Sequence, residues 1–144
     1  MRFIYITPDD YYWSGVLGTK LYLTQSQKDL IDRCILGYKI IYNWAIKCER
    51  DNYDLSKAGL SKRSFLRFYT LESMYKDFRD NDHEFGPLLR TLPTHSMRNA
   101  LIDVVHGYEL FFQKVNINPP NYKYDSKFQA FSSYRVRSDA TFYF

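Results

Sequence analysis

An α+β fold is what this chain predicts: a bundle of about three helices inserted between strand segments. Three observations carry the reading. Lys20–Trp44 runs from a strand-like segment through a helix-start signal into a long amphipathic stripe. Two later segments repeat apolar residues at helical spacing. Both ends of the chain hold short runs rich in aromatic and β-branched residues. With 45% hydrophobic residues in 144, there is apolar material for one packed domain.

The elements follow in order. Met1–Thr7, MRFIYIT, reads as a strand, broken by Pro8, Asp9 and Asp10. Gly15 and Gly18 flank a turn, and Gly18–Leu23 reads as a second strand. Thr24-Gln25-Ser26-Gln27 is T-x-x-Q, a capping box in which the hydroxyl and the amide satisfy end groups reciprocally. The first helix is expected from Gln25 to about Asn52. Leu30, Ile31, Cys34, Ile35, Tyr38, Ile41, Tyr42, Ala45 and Ile46 form its apolar stripe. Lys28, Arg33, Lys39, Lys47 and Arg50 lie opposite. Gly37 interrupts the stripe at about 1 kcal/mol relative to Ala. Tyr42 and Trp44 read as packing residues, with Asn43 satisfying nearby backbone.

A second helix is expected from a Ser61 cap to about Arg79, with Phe65, Leu66, Phe68, Tyr69, Leu71, Met74, Tyr75 and Phe78 on its apolar side. Asp80–Pro87, DNDHEFGP, reads as a polar turn or loop. The third helix is expected from Thr94 to about Gln113, burying Met97, Leu101, Val104, Val105, Tyr108, Phe111 and Phe112. Asn116–Asn121, NINPPN, stops it, because proline cannot continue a helix. Lys127–Phe144 alternates like returning strands. The expected divisions are 1–24, 25–115 and 116–144.

Composition narrows the function. Net charge is +4, a mild footprint for polyanions. Aromatics reach 19%, with 14 Tyr and 11 Phe, which suits both a packed core and base stacking. No apolar run of about 18 residues suggests a membrane span, and MRFIYITPDD lacks a signal-peptide core, so a cytoplasmic location is expected. Cys34 and Cys48 fall on one predicted helix about 21 Å apart, too far for a disulfide. No Cys or His spacing suits a metal, and neither a metal nor a cofactor is expected. Neither a nucleophile–base constellation nor a Gly-rich phosphate loop is present, so no enzymatic activity is expected.

Three blocks, in order, resemble a known family. Lys20–Trp44 is similar to a segment of the form K-hydrophobic-R-L-Y-P-T-x-x-Q leading to Y-N-W, with Leu23 at the proline position. Leu92–Phe112 is similar to P-S-x-x-L-Q-x-A-L-x-D-L-x-x-A-F-x-x-F-F; Pro93, Met97, Asn99, Ala100, Leu101, Asp103, Tyr108, Phe111 and Phe112 fall in register. Pro120–Ser132 resembles a degraded P-R-F-K-x-K…S-F. Together they resemble the N-terminal region of OrfB/TnpB-type transposon proteins, RNA-guided nucleases related to type V CRISPR effectors. The resemblance implies a helical recognition lobe inserted in a small antiparallel β-barrel, the wedge, incomplete here for want of strands. It also implies guide-like RNA or duplex DNA as ligand, with a TnpB-type or CRISPR nuclease as a further partner.

The family's metal-dependent nuclease and zinc ribbon have no counterpart here. Asp9, Asp10, Asp51, Asp77, Asp80 and Asp82 read as capping or solvated groups, not as a metal-binding cluster. The expectation is a non-catalytic nucleic-acid-binding module, a regulator or inhibitor of such a system. Candidate contacts at the expected start of the second helix are Lys62 and Arg63. Those at the start of the third are Thr94, His95 and Arg98, with Arg98 where the family often has Gln. On the returning segment, Ser132 matches the family's F-T/S position beside Phe131. Lys114, Lys123, Lys127, Arg135 and Arg137 form the densest basic stretch. They interleave with Tyr122, Tyr124, Phe128 and Tyr134, the pattern of a backbone-and-stacking surface. Each residue has a plainer reading: Thr94 as a cap, the cations as solvated charges, the rings as core. The alternative function is a protein-interaction module, a homodimer or a cap on a larger nuclease, pairing through open strand edges.

Overall fold

The computed structural model describes residues 2–5, 16–19 and 22–123. The fold is helical, and this corrects the expected α+β class: among the described residues no barrel forms around the helices. Among the described residues, extended pairing is confined to one ribbon. In it β1 (Arg2–Tyr5) runs antiparallel to β2 (Val16–Thr19), with Arg2 opposite Thr19 and Tyr5 opposite Val16. Tyr22 and Leu23, expected in the second strand, lie outside it. The returning strands predicted within Lys127–Phe144 lie outside the described residues.

Four helices follow: α1 (Gln25–Lys57), α2 (Phe68–Asn81), α3 (Gly86–Leu89) and α4 (Thr94–Phe112). The capping box forms as predicted. The Gln27 amide N–H donates to Thr24 Oγ1 at 3.3 Å, and Gln27 Oε1 accepts from the Thr24 N–H at 2.9 Å. Helix α1 runs five residues beyond its expected end and stops at Gly59, whose φ of 77° suits a residue without a Cβ. The Leu60 N–H reaches Leu55 O at 2.8 Å and the Gly59 N–H reaches Ser56 O at 3.1 Å, a Schellman ending. Helix α4 ends the same way, with Val115 N–H to Leu110 O and Lys114 N–H to Phe111 O, both at 3.0 Å. There the left-handed position is held by Lys114, φ 61°.

The core lies where the three long helices meet. Ile41, Ala45 and Ile46 of α1, Leu71 of α2, Leu89 of α3, and Ala100, Leu101 and Val104 of α4 are fully buried. Trp44 stacks on Phe78, with ring centroids 5.1 Å apart, and meets Tyr75 edge-on at 6.0 Å. With Glu49 bound to Leu66, two residues ahead of α2, these contacts make α2 antiparallel to α1. The Tyr75 hydroxyl donates to Met97 Sδ, joining α2 to α4. Tyr38 bonds Asp103, and Tyr53 packs on Phe112 at 5.7 Å, so α4 runs in the same general sense as α1. Cys34 and Cys48 are free thiols, Cys34 in the core. None of the described helices is long and apolar enough to cross a membrane.

Candidate nucleic-acid interface

Ser61–Arg67 is not the first part of a helix, as the sequence suggested, but a non-helical connector between α1 and α2. Two α1 side chains hold it there by capturing its backbone. Asn52 Nδ2 donates to Arg63 O at 3.0 Å, and Asn52 Oδ1 accepts from Ser61 Oγ at 3.0 Å. One turn earlier, Glu49 Oε2 accepts from the Leu66 N–H at 2.8 Å. Backbone groups spent on these bonds cannot enter a helical ladder, which explains why α2 starts at Phe68 rather than near Ser61.

The connector has a one-sided charge. Lys57–Arg67, KAGLSKRSFLR, contains four cations and no acid. Lys57, Lys62, Arg63 and Arg67 are all exposed, and none pairs with an acid among the described residues. Lys57 Nζ stands 4.2 Å from the Tyr53 ring centroid. The inward side of the connector is aromatic. Phe65 stacks on Phe112 at 5.5 Å, and Phe111, Tyr53 and Tyr108 surround the same ring. Since Lys114 follows Phe112 by two residues, it shares this end of the bundle and is also exposed. The result is a cationic rim over an aromatic floor.

The other predicted residues fall elsewhere. Arg98 lies beside the first turns of α2, its guanidinium 5.3 Å from the Phe68 ring and its Nε 3.5 Å from Glu72 Oε1. That ion pair engages the group expected to read a base. Thr94 is the first residue of α4 and is exposed, but it does not cap the helix; Pro93 holds the N-cap position and no side chain caps it. Neighbouring Leu92 packs at Gly37, some twenty residues and so about 30 Å along α1 from Lys57. His95 is likewise exposed beside Thr94. Lys123 is docked on the middle of α1. Asn43 Oδ1 accepts its N–H at 2.7 Å, Asn43 Nδ2 donates to its carbonyl at 3.2 Å, and its Nζ lies 4.6 Å from the Tyr42 ring. Beside it Arg50 donates to Asn121 Oδ1 at 3.0 Å and covers the Tyr122 ring at 4.3 Å. Lys127, Ser132, Arg135 and Arg137, with Tyr124, Phe128, Phe131 and Tyr134, lie outside the described residues.

The structure therefore brings Lys62, Arg63 and Lys114 together and leaves Thr94 and Lys123 apart from them. Sequence reasoning missed Lys57 and Arg67, though the acid-free stretch signals both. It also missed Asn52 and Glu49, which set the backbone. Glu49 is fully buried, and its Oε1 has no hydrogen-bond partner. Burial pushes its carboxyl up to about 7, opposed only by the Leu66 amide. Among the described residues no group of His, Cys, Asp and Glu is arranged to hold a metal ion. Compared with models of known families, with curated proteins and with solved structures, the chain matches none.

Proposed function

We propose that this protein is a non-catalytic nucleic-acid-binding module that grips phosphate backbone through the end of the bundle formed by the connector and the end of α4. The observation that carries the reading is the acid-free stretch Lys57–Arg67, whose exposed cations sit without ion pairs among the described residues on a backbone pinned to α1. Elsewhere on the described surface, cations are more often spoken for. Lys47 pairs with Asp51 at 3.1 Å, Arg79 with Asp80 at 2.9 Å, and Arg98 with Glu72. Unpaired cations held at fixed spacing release counterions when they meet phosphates, the main source of affinity for nucleic acid. The aromatic rings beneath the rim pack on one another, so backbone grip rather than base reading is favoured.

The resemblance to the recognition half of TnpB-type nucleases adds a biological setting: a module that occupies guide-like RNA or target duplex and regulates or inhibits such a system. The test is binding of structured RNA, duplex DNA and single strands across a salt series, with a Lys62/Arg63/Arg67→Ser variant beside the parent. Affinity should fall steeply with salt, and the variant's log–log slope should be shallower by about 2–3, near 0.7–0.9 per lost phosphate contact. Absence of binding at low salt, or an unchanged slope, refutes the reading. A second reading, association through strand edges, draws on the β1–β2 ribbon, where each strand has one neighbour among the described residues. It requires association that depends on protein concentration and little on salt.

A further inference from the structure

We propose that Glu49 is a protonation-controlled latch, which holds the basic connector against α1 as the neutral acid and releases it as the carboxylate. The geometry has three parts. Glu49 and Asn52 stand one turn apart on α1 and together hold Ser61, Arg63 and Leu66 by hydrogen bonds of 2.8–3.0 Å. Only the Glu49 bond reaches the far end of the connector, at Leu66, two residues before α2 begins. The carboxyl is also wholly enclosed, and one of its two oxygens meets no donor. A carboxylate there has one amide to offset its charge, whereas the neutral acid leaves a polar group unpaired but no charge, which costs less.

The groups facing Glu49 do not supply the missing charge. Tyr108 of α4 has its phenol raised by burial and then by Glu49 itself, so it is no counterion. On α1, the Cys48 thiol is pushed up to about 11, by burial first. Arg50, next along α1, is committed to Asn121 and Tyr122. The connector contributes a backbone amide, while its cations Lys62, Arg63 and Arg67 are exposed. None of these cations, nor any from α2 or α4, lowers the Glu49 carboxyl.

The sign follows from linkage. The docked state favours the proton, with its carboxyl near 7 against an ordinary 4.5 once released. Docking is therefore strongest at and below pH 4.5, weakens as pH rises towards 7, and levels off above it. Between pH 5 and 7 the docking constant should fall about 40-fold, with a limit near 300-fold set by the full difference. The connector is thus held less tightly at neutral pH than in mild acid. This inference concerns the connector itself and does not depend on what the cations bind.

Amide hydrogen exchange between pH 5 and 8 tests it, with rates corrected for intrinsic pH dependence. Leu66 reports the latch, and Ile46 and Leu101 report global opening. Expected is a loss of Leu66 protection through this range that exceeds any change at Ile46 and Leu101, and its disappearance in Glu49→Gln. Asn52→Ala should lower connector protection at every pH yet keep the pH dependence, which carries the test should Glu49→Gln fail to fold. Constant Leu66 protection in the parent overturns the proposal. So does the same loss in Glu49→Gln, or loss only in parallel with Ile46 and Leu101.

Discussion

Replacing Lys114 with glycine should make this protein more stable and a weaker binder of polyanions. Helices α1 and α4 end in the same pair of bonds, a six-residue closure enclosing a four-residue one, with the penultimate residue left-handed. In α1 that residue is Gly59 at φ 77°, and in α4 it is Lys114 at φ 61°. A side chain with a Cβ pays about 1–2 kcal/mol there, from crowding against the following carbonyl. Glycine removes the crowding but adds freedom to the unfolded chain, a loss of about 0.4–1 kcal/mol. The net gain expected for Lys114→Gly is about 0.5–1 kcal/mol. Gly59→Ala is the mirror control: an added Cβ would meet nothing within 4 Å, so its cost is purely backbone and should be of similar size and opposite sign. Urea unfolding with an unchanged m-value measures both. The same Lys114→Gly protein should show a shallower salt slope for nucleic acid, by about 0.7–0.9 if Lys114 touches one phosphate. Destabilisation by Lys114→Gly, or a neutral Gly59→Ala, would refute the backbone argument. An unchanged salt slope would remove Lys114 from the interface.

Other substitutions probe the packing around the site. Gly37→Ala places a Cβ 1.9 Å from Leu92 Cδ1. The helix-propensity gain of about 1 kcal/mol should therefore be outweighed by overpacking of about 1–3 kcal/mol, and the sign should reverse in a Leu92→Ala background. A double-mutant cycle by chemical denaturation checks this. Asn43→Ala removes both bonds to the Lys123 backbone and should cost about 1–2 kcal/mol, with faster amide exchange at Lys123. Gly107→Ala brings a Cβ to 2.5 Å from the Pro120 ring, which cannot rotate away, so it should raise exchange at Lys123 in the same manner. Leu101→Ala, in the fully buried centre, should lower stability by about 2–5 kcal/mol without changing the salt slope of any binding.

Local signals in the sequence survived into the structure where neighbours in the chain were sufficient to make them. Thr24 and Gln27 cap α1 because both partners lie within four residues. The stripe through Ile31, Cys34, Tyr38, Ile41, Tyr42, Ala45 and Ile46 is buried because period alone defines a helix face. Ser61 looked like a cap, and Phe65, Leu66 and Phe68 looked like the first turn of a helix. The competing partners, Asn52 and Glu49, were invisible because they act across the α1–α2 junction. Glu49 sits between Cys48 and Arg50 in a charged run that reads as solvated, yet it is buried. Gly86–Leu89 is too short for a periodic signal, and its first two residues belong to the polar run Asp80–Pro87 that reads as loop; Asp82 Oδ2, accepting the Phe85 N–H at 2.6 Å, helps turn the chain into it. The α+β assignment failed because, among the described residues, strand propensity near Gly18–Leu23 yields one four-residue strand, Val16–Thr19, beside a helical bundle. Of the site, Lys62, Arg63 and Lys114 were legible as charge. Their convergence was not, since it depends on Phe65 meeting Phe112.

Asn43 bonds to both backbone groups of Lys123, eighty residues later. During synthesis α1 is complete long before this partner exists, and α2, α3 and α4 must all be made first. At about 5–20 residues per second, the exposed flank of α1 waits roughly four to sixteen seconds for its cover. A contact of such sequence separation is late by topology, since the intervening chain must be ordered before closure is rewarded. Docking of Asn121–Lys123 is thus placed to be a late step, in which a bundle already assembled from nearer contacts receives a strip of backbone along α1.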